Sequence, residues 1–163
     1  RCNYSARVGA RRRSLNAARG VLYDGAALLD TAAVFALLDD RDALHQSATQ
    51  FFKANKTSLV WYAVDITAHE SYTRIRYDLS REKAVAAYDL LRAEEVRVVR
   101  FGVEDEKSAL ELLQRFADQT LSFHDALCAA IMRRIGLYKV FTFDSDFWTM
   151  GFQVIPGTTA SKR

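Results

Sequence analysis

The sequence contains few of the residues and motifs that several common enzyme classes require. It has 2 cysteines and 1 proline among 163 residues, too few cysteines for a disulfide framework or a cysteine zinc site. None of its 7 glycines belongs to a G-x-G-x-x-G or G-x-x-x-x-G-K-[ST] phosphate-binding loop, and no G-x-S-x-G motif of serine hydrolases occurs. The longest apolar run, residues 32–38, is far shorter than the ~20 residues of a membrane span. We therefore expect no membrane segment, and the sparse cysteine usage is typical of a cytoplasmic protein.

Basic residues are concentrated at the start of the chain. Six arginines precede the first acidic residue, Asp24, so the remaining chain holds 17 basic and 20 acidic residues and a net charge of −3. The basic pI of about 9.0 therefore comes from a tail without apolar periodicity and is weak evidence for nucleic-acid binding. We expect residues 1–23 to be a disordered basic leader or a non-native extension, 24–157 to form one domain, and 158–163 to be a loose end.

Apolar stretches of strand length alternate with helical patterns between residues 24 and 157, which is typical of βα units and a parallel sheet. The pattern predicts strands at 26–29, 59–64, 97–99, 138–143 and 153–155, the last at an edge of the sheet. It predicts helices at 31–38, directly after Asp42, and at 67–77, 81–94, 103–117 and 123–135. The fold class is therefore α/β.

Four acidic residues lie where α/β proteins place their ligands, at strand ends and in the first turns of helices. Asp30 and Asp144 directly follow predicted strands, and Glu70 and Asp125 lie in the first turns of predicted helices. Because strand ends of one kind meet at one edge of a parallel sheet, these side chains could converge. Converging carboxylates repel one another unless a divalent cation lies among them, and oxygen ligands suit Mg²⁺ or Mn²⁺.

Each acidic residue also has a purely structural interpretation. Thr67 with Glu70 and Ser122 with Asp125 both match the capping box, in which the acid binds a backbone N–H at the helix start. Glu70 can also pair with Arg74 one turn later, and the two aspartates after strands can serve as a helix cap and a turn residue. Capping explains each residue singly but explains the group of four less well. Both roles are compatible, because a helix N-terminus favours the ionised carboxylate.

Four sequence blocks in this order resemble the signature of PIN domains. They are L-L-D-T at 28–31, Glu70, S-F-H-D-A-L at 122–127 and F-T-F-D-S-D-F at 141–147. The segment F-W-T-M-G-F-Q-V-I-P at 147–156 is similar to the ending of VapC-like toxins. The resemblance covers residues 26–157, and it implies a three-layer α/β/α fold with a central, mostly parallel sheet.

The resemblance also implies a function, a site and partners. The function is Mg²⁺- or Mn²⁺-dependent endoribonuclease activity, as the toxin of a toxin–antitoxin pair, with RNA as substrate, an antitoxin as partner and a homodimer as assembly. Thr142 is implied to be a hydroxyl that fixes Asp144. Asp146 departs from the family pattern by adding an acid where relatives vary, as a fifth, water-mediated ligand or as a solvated turn residue. The implied catalytic and metal-binding residues are Asp30, Glu70, Asp125 and Asp144.

Three arginines near Glu70 are candidates for contacts with RNA phosphates: Arg74, Arg76 and Arg81. A polyanion that approaches an acidic metal site needs positive charge nearby. A solvated helical face explains the same residues equally well.

Two histidines and two tryptophans remain to be placed. His69 and His124 each precede a site acid, and because neighbours on a helix point about 100° apart, we expect both to be rim or capping residues rather than ligands. Trp61 and Trp148 could stack on bases, but their apolar surroundings favour the core.

Two alternative functions are open. A phosphatase-like hydrolase with an aspartate nucleophile after the first strand needs Asp-x-Asp, whereas the sequence here is Asp30-Thr31-Ala32. A catalytically silent PIN-like module that binds RNA or a partner protein is the second alternative, since ligand-competent residues do not prove turnover. RNA binding that is unaffected by chelation would identify it.

Overall fold

The structure, a computed structural model, describes residues 25–157; the predicted leader 1–23 and loose end 158–163 lie outside the described residues. The strands are β1 (Ala26–Leu29), β2 (Val60–Val64), β3 (Val96–Val99), β4 (Lys139–Phe141) and β5 (Gln153–Ile155). The helices are α1 (Thr31–Leu38), α2 (His45–Asn55), α3 (Asp65–Asp78), α4 (Arg81–Arg92), α5 (Val103–Arg115), α6 (Phe123–Ile135) and α7 (Asp146–Thr149).

The five strands form one all-parallel sheet in the order β3-β2-β1-β4-β5. Its central strand β1 is buried along its whole length, because helices cover both faces of a parallel sheet. Alternate residues of β1 point to opposite faces: Leu28 packs in one apolar cluster and Leu29 in the other. Trp61 is buried in the second cluster, as predicted. The α/β/α prediction is confirmed, with a sheet that is wholly rather than mostly parallel.

Helix α6 has the predicted bounds, because both of its ends carry strong signals. Ser122 caps the N-terminus by accepting a hydrogen bond from the backbone N–H of Asp125 (3.1 Å). At the C-terminus Gly136 adopts φ 74°, a left-handed conformation that favours glycine, and its N–H binds the carbonyls of Arg133 and Met132.

Other boundaries differ from the prediction. Helix α2 begins at His45 rather than directly after Asp42, because the Asp42 side chain accepts from the N–H of Leu44 (2.7 Å) in a turn before the helix. Strand β4 ends at Phe141, so Asp144 follows it at a distance of three residues rather than directly. None of the described helices is long and apolar enough to cross a membrane.

The short helix α7 was not predicted, and it makes one tryptophan prediction wrong. Phe147 and Met150 occupy the side of this segment that packs on the core. Trp148 lies between them in sequence and is 69% exposed, because a single helical turn buries only one of its sides.

Register places the candidate site at one edge of the sheet. Leu29 of β1 pairs with Phe141 of β4, so the next residues, Asp30 and Thr142, leave adjacent strands side by side. The N–H of Asp30 continues the ladder by binding the carbonyl of Phe141 (3.2 Å). Helices α1 and α3 begin at this same edge, directly after β1 and β2.

Candidate metal centre

Asp30 is fixed in place by its own helix and by the neighbouring strand. Its Oδ2 accepts from the N–H of Ala32 (3.3 Å), which makes it the N-cap of α1, and from the hydroxyl of Thr142 (2.6 Å). Its other oxygen, Oδ1, is buried and has no hydrogen-bond partner among the described residues. A buried carboxylate oxygen that no protein donor satisfies is costly unless a cation binds it.

Thr142 acts on two aspartates at once. Its hydroxyl donates to Asp30 and accepts from the backbone N–H of Asp144 (3.1 Å). The sequence predicted that Thr142 fixes Asp144; it does so through the backbone, and its contact with a site carboxylate is with Asp30.

Asp125 forms the predicted capping box at the start of α6. Its Oδ2 accepts from the hydroxyl of Ser122 (2.5 Å) and from the N–H of Ser122 (3.2 Å). Both cap contacts use the same oxygen, which leaves Oδ1 on the side of the site, 3.6 Å from Nδ1 of His124. A capping role and a ligand role are therefore compatible in this residue.

Asp144 and Asp146 complete the acidic group. Oδ1 of Asp144 accepts from the N–H of Asp146 (2.8 Å), which is the predicted Asx turn. Two sets of side chains offer ligand atoms that lie within 4.8 Å of one another. One set is Asp125, Asp144 and Asp146, and the other is Asp30, His124 and Asp125. Asp125 belongs to both sets. A cluster of this composition can hold a divalent cation.

Glu70 reaches the site from a different position than the sequence predicted. Helix α3 begins at Asp65, directly after β2, so Glu70 lies in its second turn and the predicted capping box with Thr67 is wrong. Oε2 of Glu70 accepts from the hydroxyl of Thr31 (2.9 Å) and lies 2.9 Å from Nδ1 of His124. These contacts anchor Glu70 beside the aspartate cluster.

His124 lies in the middle of the acidic residues, so the prediction that it is a rim or capping residue is wrong. It is 7% exposed, and its Nδ1 is 2.9 Å from Glu70, 3.6 Å from Asp125 and 4.0 Å from Asp30. The reason is that α6 starts at the sheet edge, where its second and third side chains, His124 and Asp125, both reach the site. An ionised carboxylate only accepts hydrogen bonds, so Nδ1–H donates to Glu70 and is not free to bind a metal.

The far side of His124 is also bound. Its Nε2 lies 2.9 Å from the hydroxyl of Thr67, the residue that the sequence assigned to a helix cap, and 3.6 Å from the sulfur of Cys128. His69, in contrast, is exposed on α3, and its place at the rim of the site stays a prediction. Cys128 is buried.

Burial and ion pairing act in opposite directions on the charges of the site. Burial raises the pKa of Asp30 from 3.8 to about 6, and the charge of His124 only partly opposes it. Burial alone would raise the pKa values of Glu70 and Asp125. Their contacts with His124 outweigh the effect of burial, so both pKa values lie below their ordinary values. Burial lowers the pKa of His124, yet contacts with Cys128, Asp125 and Glu70 raise it above its ordinary value. Desolvation, together with the charges of Asp144 and Asp125, raises the pKa of Asp146.

The raised pKa of Asp30 gives the first testable prediction. The protonated carboxyl of Asp30 contributes to the free energy of unfolding. This contribution is fully present below pH 3.8 and is lost as the pH rises through about 6. Without metal, Asp30→Asn should therefore stabilise the protein at neutral pH by about 1–2 kcal/mol, less than the whole shift implies because the new amide is also buried. The gain should vanish near pH 3, where Asp30 is protonated in both states.

Urea unfolding in EDTA, repeated over this pH range, measures the effect. Mn²⁺ should then stabilise the original protein but not the variant. A variant that is no more stable than the original protein at neutral pH in EDTA would contradict the cost of burying this carboxylate.

The three arginines predicted to contact substrate lie on α3 and α4, and no contact with the site acids is seen within residues 25–157. Arg74 packs over the ring of Phe35 (4.6 Å) and pairs with Asp78 (3.8 Å) rather than with Glu70. Arg76 and Arg81 are exposed. Their role in binding RNA stays a prediction.

Fold and site together define a class of protein: a parallel α/β domain with a carboxylate cluster for a divalent cation at the carboxyl edge of its sheet. The chain belongs to the PIN domain family, whose profile matches residues 27–153. This confirms the predicted family.

The chain is similar to VapC toxins in both sequence and structure. It is 32% identical over 124 residues to the 23S rRNA-specific endonuclease VapC20 of Mycobacterium tuberculosis. The aligned region covers 76% of this chain and 93% of VapC20. The crystal structure of VapC20, described as a sarcin–ricin loop cleaving toxin, superimposes with a TM-score of 0.72 at 28% identity, covering 77% of this chain and 95% of VapC20. VapBC2 of Rickettsia felis, bound to promoter DNA, has a TM-score of 0.60 at 12% identity and covers 79% of this chain and 96% of its own, which shows the shared fold alone.

Proposed function

We propose that this protein is a divalent-metal-dependent endoribonuclease and the toxin of a toxin–antitoxin pair. The observation that carries the proposal is the carboxylate cluster centred on Asp125, together with the buried Oδ1 of Asp30, which accepts no hydrogen bond from residues 25–157. That oxygen and the all-oxygen donor set of the aspartates fit a hard cation, so we propose Mg²⁺ or Mn²⁺.

We assign the roles of the carboxylates as follows. Asp30, Asp125 and Asp144 hold the metal, and Asp146 adds a further carboxylate beside Asp144. When bound, the cation supplies a Lewis acid that polarises the phosphodiester and stabilises the charge that develops on its oxygens.

Glu70 is the residue that orients the attacking water, or a further ligand. Thr31 and His124 both bind its Oε2, which leaves Oε1 as the oxygen that can accept a proton from the water. The pKa of Glu70 is lowered despite its burial, so the carboxylate is ionised and can orient the water by accepting a hydrogen bond from it.

Substrate and partners follow from the relatives. VapC20 is named for its action on 23S rRNA, and the similar solved structures include a toxin–antitoxin complex from Klebsiella pneumoniae. We therefore propose RNA as the substrate, with ribosomal RNA as the first to test, an antitoxin as the partner and a homodimer as the assembly. A silent binding module is not favoured, because Asp30, Asp125 and Asp144 are all present and Thr142 and Ser122 hold them in place.

The test is cleavage of labelled ribosomal and unstructured RNAs with Mg²⁺ or Mn²⁺. We expect cutting that stops in EDTA and returns with excess metal, because the aspartates cannot stabilise an anionic transition state by themselves. In-line attack by water should leave a 5′-phosphate and a 3′-hydroxyl on the fragments. Cleavage that persists in EDTA, or fragments with a cyclic phosphate, would contradict the proposal.

A further inference from the structure

A hollow of about 370 Å³ opens between α3 and α4, and α3 also carries Glu70. It is lined by His69, Tyr72, Thr73, Val85 and Tyr88. Thr73 follows Glu70 by three residues on the same helix, so the two lie about 4.5 Å apart along the helix axis. The hollow therefore begins within one helical turn of the residue that we assign to the attacking water.

The lining of this hollow is aromatic rather than aliphatic, with three rings and a single valine. The rings of His69 and Tyr88 lie 6.1 Å apart with an interplanar angle of 35°. The guanidinium of Arg92 lies 5.5 Å from the ring of Tyr88. Aromatic rings and arginine planes in series are the surfaces on which proteins stack unpaired nucleobases.

We propose that this hollow binds one nucleobase of the RNA strand, close to the phosphodiester held at the carboxylates. The inference rests on the proposed ribonuclease function and adds a base-binding subsite to it. Stacking on His69 and Tyr88 orients the strand, so the hollow selects RNA whose base can leave its helix or loop. The exposed arginines Arg76 and Arg81 on the same helix pair can contact neighbouring phosphates.

The shape of the hollow favours a base over a segment of protein. A helix that docks in a groove needs successive contacts spaced at i, i+3, i+4 and i+7. The hollow is instead one compact site formed by two short stretches, residues 69–73 and 85–88. A single flat ring system fits such a site.

The experiment measures how tightly a fluorescent single-stranded RNA binds to variants of the hollow. Tyr88→Ala and Tyr88→Leu, made in the cleavage-defective Asp125→Asn background, should weaken binding about 5- to 100-fold, the range of losing one stacked base. The leucine variant keeps an apolar side chain, so a shared loss reports the missing ring rather than misfolding. Tyr77→Ala is the matched control, because Tyr77 lies on α3, is 84% exposed and does not line the hollow.

RNAs that carry one abasic nucleotide near the cut identify the base. At one position, removing the base should weaken binding as much as Tyr88→Ala does, and the two changes together should weaken it no further. Tyr88 variants that bind every RNA as Tyr77→Ala does would overturn the proposal. So would variants that bind RNA normally but no longer retain a co-expressed antitoxin, which would make the hollow a protein-docking site.

Failure of this inference is distinguishable from failure of the proposed function. If the original protein cuts RNA with metal and the Tyr88 variants cut and bind equally well, only the base site is wrong. If the original protein cuts no RNA with either metal, the ribonuclease proposal is wrong, and the binding experiment still measures whether the hollow stacks a base.

Discussion

Replacing Asp125 by asparagine is expected to lower metal-dependent RNA cleavage about a thousandfold or more. Asp125 is shared by both sets of ligand atoms, so its loss weakens the whole cluster. Bound metal contributes several kcal/mol of transition-state stabilisation, and each 1.36 kcal/mol corresponds to a factor of about ten in rate. The asparagine oxygen can still accept from the N–H of Ser122, so the start of α6 should keep its cap.

Single-turnover cleavage at saturating Mn²⁺ measures this loss, and thermal unfolding in EDTA checks that the fold is intact. Asp118→Asn is the matched control: it makes the same chemical change at an exposed aspartate after α5 and should cleave at the original rate. A folded Asp125→Asn protein that retains more than a tenth of the original rate would remove Asp125 from the metal site.

The sequence predicted the positions of those site residues that depend on strand ends and caps. Asp30 follows a buried apolar strand, and Asp125 follows Ser122 in a capping box, so local chemistry places both. The convergence of these residues also follows, because parallel strands β1 and β4 end at the same edge. The fold and most of its aspartate cluster are thus encoded in short segments.

The contacts of Glu70 could not be predicted in this way. Thr67 and Glu70 match a capping box, but β2 passes directly into α3 at Asp65, so the helix starts three residues earlier than the motif suggests. Thr67 is then free to contact His124, 57 residues further along the chain. Such a pairing depends on how α3 packs beside α6, and no local pattern carries that information.

His124 is the residue that sequence analysis most clearly misplaced, and one weak signal was available. Cys128 follows it by one helical turn and precedes further buried apolar residues of α6, which places His124 on the buried side of the helix. A histidine on that side next to three carboxylates supplies a positive charge inside the cluster. We infer that it positions Glu70 through the Nδ1 hydrogen bond.

His124→Ala is therefore expected to destabilise the metal-free protein by about 3 kcal/mol, because it leaves buried carboxylates without their cationic partner. His124→Asn should recover part of this loss, since its amide N–H can still donate toward Glu70 but carries no charge. Because bound metal supplies positive charge to the same carboxylates, saturating Mn²⁺ should reduce the deficit of both variants. By the same linkage the alanine variant should bind Mn²⁺ more tightly than the original protein, because a metal that stabilises the variant more must bind its folded state more tightly.

Urea unfolding with and without Mn²⁺, together with titration of Mn²⁺ binding, separates these effects. His69→Ala is the matched control, because His69 is exposed and lies next to Glu70 on α3; it should change stability by less than about 0.5 kcal/mol. If His124→Ala destabilises the metal-free protein no more than His69→Ala does, the ion pair with Glu70 contributes nothing. If it does destabilise the protein but the deficit is the same with and without Mn²⁺, His124 supports the packing of α6 and not the charge balance of the site.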